Sequence, residues 1–177
     1  MRTLFILTFF LLAGQMSLCQ SQAVMDFHNK YKDNGKYLSV HIEGGLLKML
    51  SNVDTNDEDT REFLNAVSKI EGIDIHSINR DEGDFGESDI NSFKRDIKRE
   101  NFDELMIVRD GDSDIDFLIK EKRGKINELL LVVDEPDDFT IVNISGEIDL
   151  KTIAKVTENL DIKGAKHLDK LKDAKDN

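Results

Sequence analysis

The sequence contains one cysteine, Cys19, and it lies near the amino terminus. A chain with a single cysteine cannot form an internal disulfide, so a packed core has to stabilise the fold. The sequence also lacks internal repeats, low-complexity tracts and any linker long enough to separate two domains. These absences predict a single domain over residues 37–172, with a polar lead-in over residues 20–36 and a short tail over residues 173–177.

Long apolar runs are confined to the first residues of the chain. Arg2 precedes the apolar run Leu4–Ala13, and small residues follow it. This pattern predicts a secretory signal peptide over residues 1–19, cleaved between Cys19 and Gln20. The run is shorter than the roughly 20 residues of a membrane span, so no transmembrane span is expected in the mature form. The protein is therefore predicted to be exported and to be periplasmic or secreted. The alternative is a lipoprotein that keeps a lipidated Cys19, although Leu18 stands where that route prefers a small residue.

Positively charged residues are fewer than negatively charged ones. The chain has 24 Lys and Arg residues against 36 Asp and Glu residues, a net charge of −12, and removal of Arg2 makes it one unit more negative. A protein of this charge repels phosphate backbones and anionic membrane surfaces, which disfavours nucleic-acid binding. The composition favours a cationic partner, either another envelope protein or a divalent metal such as Ca²⁺.

Strand-like runs fill the chain between Glu104 and Leu150. Four apolar runs are separated by short turns rich in Asp, Gly, Lys or Pro, which predicts an antiparallel meander. The four runs are Leu105–Val108, Ile115–Ile119, Leu129–Val133 and Phe139–Ile144. Two earlier runs, Leu38–Ile42 and Ile73–Ile78, predict further strands.

Apolar stripes at helical spacing predict helices on both sides of this meander. A short helix is expected over Leu46–Val53, and a second is capped by Asp59 and ended by Gly72. A third is capped by Ser88 and ends near Asn101. After a break at Gly146, Asp149 is expected to cap a fourth helix, whose apolar stripe is Leu150, Ile153, Val156 and Leu160. A short amphipathic segment, Ala165–Leu171, follows it. Helices come mostly first and hairpins mostly last. This order predicts an α+β domain: an antiparallel or mixed sheet with a C-terminal β-meander and helices packed on one face.

The most specific motif is the last strand with the residues after it. Residues Phe139–Leu150 have the sequence FTIVNISGEIDL, and a strand ending in I-x-G-x-I-D-L before an amphipathic helix resembles the exported Bacteroidota proteins grouped as domain-of-unknown-function family 4252. The strand–helix pair at Val40–Leu50 and the order of elements resemble the same family. The resemblance implies a small exported domain with no assigned activity, in some cases encoded near extracytoplasmic sigma factors. It supplies no functional residues.

An acidic stretch resembles a calcium loop in its spacing. Carboxylates at positions one, three, five and twelve are those of an EF-hand, where alternate residues direct oxygens at one cation. Here they are Asp110, Asp112, Asp114 and Glu121. However, Ile115 occupies the position that requires glycine, and both flanks are strand-like rather than helical. The spacing is therefore interpreted as a hairpin with Asp114 and Asp116 solvated.

The meander itself predicts an acidic edge. Alternate turns of a meander lie at the same end of the sheet, so the two acidic turns should be neighbours. The candidate metal ligands at this edge are Asp110, Asp112, Asp114, Asp134 and Asp137. They could hold Ca²⁺, or they could be solvated charges that discourage aggregation. The basic turn, with Lys120, Lys122, Arg123 and Lys125, should lie at the opposite end.

Other motifs for chemistry are incomplete. Gly44 and Gly45 lack the spacing and the Lys-Ser/Thr pair of a phosphate loop. His41 and His76 could bind a transition metal together if their strands are neighbours. No catalytic residue and no cofactor is predicted, and the favoured hypothesis is a non-enzymatic envelope or periplasmic interaction module. The alternatives are a carboxylate-based hydrolase, since Asp and Glu are the abundant reactive groups, and a weak divalent-cation or small-ligand binder.

Overall fold

The structure is a computed structural model that describes residues 21–80 and 85–149. In these ranges there are four helices and six strands, with the helices mostly first and four consecutive strands last, as expected from the sequence. The helices are α1 (Gln22–Tyr31), α2 (Gly44–Ser51), α3 (Glu58–Val67) and α4 (Glu87–Arg99), and the strands are β1 (Tyr37–Glu43), β2 (Ile70–Asn79), β3 (Asp103–Asp110), β4 (Ser113–Lys122), β5 (Lys125–Asp134) and β6 (Asp138–Ile148).

All six strands belong to one antiparallel sheet with the order β1-β2-β6-β5-β4-β3. The predicted meander is present as β3 to β6, and β2 joins it by pairing with β6. Strands β4 and β5 are linked by the two-residue turn Arg123–Gly124, where both residues have positive φ (58° and 78°). That geometry matches the twist of a hairpin. The prediction of an α+β fold with a C-terminal meander is confirmed.

The main core lies between one face of the sheet and the helices α1 and α4. Alternate residues of β2, β5 and β6 point toward the helices, as period-two strands require. This core contains Val24, Phe27, Ile90, Phe93, Leu130, Phe139 and Ile141, each at most 5% exposed. The lead-in over residues 20–36 therefore contains a helix, α1, which packs in the centre of the fold.

The opposite face of the sheet is apolar as well. Helices α2 and α3 pack there, with Leu47 and Val67 against Ile42, Ile73 and Ile144. Farther along the sheet the same face carries a cluster whose described members all lie on strands, including Ile115, Phe117, Leu129, Leu131 and Val133. The helices are therefore divided between two faces, whereas the sequence suggested that they share one.

Several predicted helix boundaries are displaced. Helix α3 is capped two residues before Asp59, by Asp57, whose side chain accepts from the Thr60 amide. Helix α4 begins at Glu87 rather than after a Ser88 cap, because Asp89 accepts the Gly86 amide. Gly72 does not end a helix, since it lies within β2 and pairs with β1 and β6.

Gly146 also differs from its predicted role as the end of a strand. Strand β6 continues to Ile148, and Gly146 lies at an irregularity in its pairing with β2. Its φ is +127°, and a Cβ there would lie 2.7 Å from the Glu71 amide nitrogen. Only glycine fits this close approach of two backbones.

The predicted signal peptide, the helices expected after Asp149 and the tail fall outside the described residues. Within residues 21–80 and 85–149, no helix has both the length and the apolar character needed to cross a membrane.

Candidate functional site

The acidic turns of the meander lie at one end of the sheet. Asp114 lies directly opposite Asp134 across β4 and β5, and Asp110 pairs with Ser113 at the hairpin end. Asp112, in the β3–β4 turn, lines the same surface hollow as Pro136, in the β5–β6 turn, next to Asp137. The two acidic turns are therefore neighbours, and the basic turn Arg123–Gly124 lies at the other end of β4 and β5.

Cations from distant parts of the chain occupy this edge. Asp134 is only 13% exposed, and its two oxygens lie 2.8 Å from Arg80 Nη1 and 2.8 Å from Lys94 Nζ. Arg109 Nε lies 3.0 Å from Asp114 Oδ1, and Arg109 Nη1 lies 2.8 Å from Asp116 Oδ1. Asp116 is thus mostly buried beside Arg109 instead of solvated as its hairpin position suggested.

These ion pairs would compete with a metal ion for the carboxylates of the acidic edge. A cation would have to displace Arg80 and Lys94 from Asp134, and no group of three or more His, Cys, Asp or Glu side chains in the described ranges is placed to hold one. The Ca²⁺ site stays a prediction from the sequence. A melting temperature that rises in millimolar Ca²⁺, and does not rise in an Asp134→Asn variant, would establish it.

A second polar cluster lies where α1 meets β1 and β2. The Tyr37 hydroxyl lies 3.0 Å from His28 Nδ1 and 2.6 Å from His76 Nδ1, and its ring is nearly parallel to that of His76, with an interplanar angle of 5°. Burial raises the pKa of Tyr37 to about 12 and lowers the pKa of His76. A neutral His76 is therefore the stable form at pH 7, and Tyr37 bridges the two rings.

His41 does not join this cluster. The strands β1 and β2 are neighbours, as the metal hypothesis required, but the register places His41 opposite Asp74 and Ser39 opposite His76. His41 Nδ1 lies 2.6 Å from Asp74 Oδ1, and Ser39 Oγ lies 3.3 Å from His76 Nδ1. The two histidines considered as a possible metal pair thus have separate partners. The sequence did not single out Tyr37 or Asp74.

Among the charged side chains of the described residues, Glu128 is the most deeply buried, with no exposed surface. Its Oε1 accepts the Ser21 amide at 2.9 Å, and its Oε2 lies 3.0 Å from Lys120 Nζ. Lys120 also lies 3.1 Å from Glu100 Oε2, and Glu100 Oε1 accepts the Ala23 amide. Burial raises the pKa of Glu128, opposed by Lys120 and the Ser21 amide. Burial lowers the pKa of Lys120, but the two carboxylates outweigh it and leave that pKa raised.

Glu128 and Glu100 hold the first turn of α1. The first amides of a helix have no partner within the helix, and negative charge near them is favourable. The first turn of α1 has no acidic residue of its own, so β5 and the end of α4 supply the carboxylates. This group of residues has a structural role, and its alternation with Leu130 and Val132 along β5 is the signal that could have placed Glu128 inside.

A third feature is a group of exposed apolar side chains. Of the eight large apolar residues that the described part of the chain leaves exposed, six lie between residues 38 and 53. We call them the β1–α2 surface: Leu38, Val40, Leu46, Met49, Leu50 and Val53, with exposed fractions from 37% to 71%. Leu38 and Val40 project from the face of β1 that α2 also covers, because they alternate with Ser39 and His41.

Comparison with known proteins supplies one match. The family model for a domain of unknown function (DUF4252) matches residues 31–156, more than half of the chain. The chain belongs to this family. Neither a curated protein nor a solved structure matches it.

The DUF4252 match covers every strand of the sheet and the whole β1–α2 surface. Most of α1, including the Ser21 and Ala23 amides that bind the two carboxylates, precedes the matched residues. The family description assigns no activity, so the function has to be argued from the surfaces of this DUF4252 domain.

Proposed function

We propose that the protein is an exported, non-enzymatic interaction module of the envelope or periplasm, and that it binds a protein partner through the β1–α2 surface. The observation that carries the proposal is the exposure of α2. Leu46, Met49, Leu50 and Val53 recur at helical spacing and are between 49% and 71% exposed, while only Leu47 of this helix's large apolar residues is buried.

Exposing an apolar surface to water is unfavourable in free energy unless a partner covers it. Exposed apolar side chains that gather in one place mark interaction sites, whereas isolated ones are ordinary. The segment Tyr37–Val53 also contains a single acidic residue, Glu43, and a single Lys, Lys48, in a chain with 36 acidic residues. The β1–α2 surface is therefore both apolar and almost free of the negative charge that would repel an acidic protein.

Export is supported by the leader pattern of residues 1–19. Ser21 is buried and its amide is bound to Glu128, two residues after Cys19. Two residues span at most about 7 Å. A lipid on Cys19 would therefore hold the acidic domain directly against the membrane surface, and this favours the soluble form over the lipoprotein.

The test is affinity capture of the tagged full chain, processed by its own cell, from the envelope fraction. A Leu46→Lys, Met49→Lys variant should lose the captured protein, because two charges would have to be buried in the contact. The matched control is Met25→Lys, which charges an exposed apolar residue of α1, outside the β1–α2 surface. A partner that the double variant still captures, with both variants folded by circular dichroism, would refute the proposed site.

A further inference from the structure

The two edges of the sheet are protected very differently. Strand β3, at one edge, has four charged residues among eight and an irregular register between Glu104 and Met106. Charges and bulges of this kind prevent an edge strand from pairing with another chain. Strand β1, at the other edge, pairs with β2 over seven consecutive residues without a shift, and its one acidic residue, Glu43, is its last.

Strand β1 has the features of an edge strand that can pair with a strand of another chain. Within the described residues it has one neighbouring strand, so its other side presents free amide and carbonyl groups. Leu38 is 56% exposed and Val40 is 37% exposed, although both extend the apolar face that Ile42 shares with α2. A strand added beside β1 would bury both side chains and satisfy the free backbone groups.

The sequence of β1 is symmetric in polarity about Val40. Apolar residues stand at 38, 40 and 42, and polar residues stand at 39 and 41. In an antiparallel pair centred on Val40, a two-fold axis would place Val40 against the same residue of the other chain and Leu38 against Ile42. On the opposite face Ser39 would meet His41, and Glu43 would meet Tyr37, so that no two like charges face each other.

On this basis, and resting on the proposed function, we infer that the occupant of the β1–α2 surface is a second copy of this chain, joined by antiparallel pairing of the two β1 strands. Such a contact is isologous and closes as a dimer. Because α2 begins directly after Glu43, each α2 stands at the end of β1 that faces Leu38 of the other copy. The exposed residues Leu46, Met49 and Leu50 are placed to cover that side chain.

The first experiment measures the oligomeric state by sedimentation. The processed full chain should sediment as a dimer at about 0.1 mM, a concentration well above a micromolar dissociation constant. Val40→Lys should yield a monomer, since it sets two ammonium groups opposite each other at the two-fold axis. Ile107→Lys, which charges a similarly exposed residue on the other edge strand, should remain a dimer. A monomeric parent protein, or a Val40→Lys dimer, would overturn the inference.

The second experiment does not depend on how the charged variant folds. In a Cys19→Ser chain, which has no other cysteine, Val40→Cys should cross-link to a covalent dimer with a short bismaleimide, because directly opposed Cβ atoms lie about 5 Å apart. Ile107→Cys should not cross-link. Absence of cross-linking at residue 40 would overturn the pairing. A monomeric parent whose envelope partner is lost in the Leu46→Lys, Met49→Lys variant would refute the second copy and leave the proposed function standing.

Discussion

Replacing Lys120 by methionine tests whether the buried ionic group holds α1 against the sheet. Methionine keeps most of the side-chain volume but leaves Glu128, which is fully buried, without its only cation among the described residues. Removing one partner from a buried ion pair costs about 3–5 kcal/mol, because the other charge remains uncompensated. In a domain of this size the melting temperature should fall by about 6–20 °C.

The cost should depend on pH in a definite direction. Burial raises the pKa of Glu128 in the folded protein above its unfolded value, and loss of Lys120 removes an interaction that lowers it, so the folded pKa rises further. Between the unfolded and the folded pKa the folded state binds more protons, so stability falls as pH rises. The Lys120→Met defect should be largest at neutral pH and should diminish toward pH 4.5, where Glu128 is protonated.

Urea unfolding at a series of pH values provides the assay. A Glu128→Gln, Lys120→Met double variant should recover much of the lost stability, since the fully buried side chain at position 128 then carries no charge. The control is Lys30→Met, because Lys30 lies 2.5 Å from Asp89 but is 59% exposed, and exposed pairs contribute at most about 1 kcal/mol. A Lys120→Met cost below about 1 kcal/mol, or one that does not change with pH, would refute the assigned role of the buried pair.

Four further predictions concern the backbone and the buried rings. Tyr37→Phe removes the hydroxyl that bridges two histidines, and urea unfolding should show a loss of about 1–3 kcal/mol. Because burial lowers the pKa of His76, the unfolded state binds more protons below about pH 6.5, so stability should fall on acidification, and less so in His76→Asn. Gly146→Ala should cost more than about 3 kcal/mol in thermal melts or prevent folding, because its φ is positive and backbone atoms approach closely. Gly45→Ala, with open space around it in α2, should instead stabilise by up to about 1 kcal/mol.

The meander could be predicted because its signals are local. Residues of β4 and β5 alternate or run apolar over short distances, and turn glycines separate the strands: Gly111 lies between β3 and β4, and Gly124 lies between β4 and β5. The positions of the acidic turns at one end of the sheet could be predicted from these strands and turns, because alternate turns of a meander lie at the same end. The ion pairs at that edge could not be predicted, because Arg80 and Lys94 reach Asp134 from 54 and 40 residues away in the sequence.

The helix ends were less predictable than the strands. Asp57 and Asp59 are both chemically suitable caps, and only the packing of Phe63 and Val67 on the sheet decides between them. Gly146 has the same ambiguity, since glycine suits both a strand end and a point of close backbone approach. In each case the local sequence allows two outcomes, and contacts with residues far away in the sequence decide between them.

The division of helices between two faces explains why the β1–α2 surface exists at all. Where β5 and β6 lie in the middle of the sheet, the residues of both faces are covered, and Leu130 and Leu131 are both buried. Of the helices in residues 21–80 and 85–149, α2 covers β1 at its Ile42 end, since it turns back over β2 with Leu47 inward and its remaining apolar residues outward. A solvent-facing helix end would be expected to carry polar residues there. The chain instead keeps Leu46, Met49 and Leu50 beside an edge strand with almost no charge, and a second copy of the same edge is the cover that this polarity pattern fits.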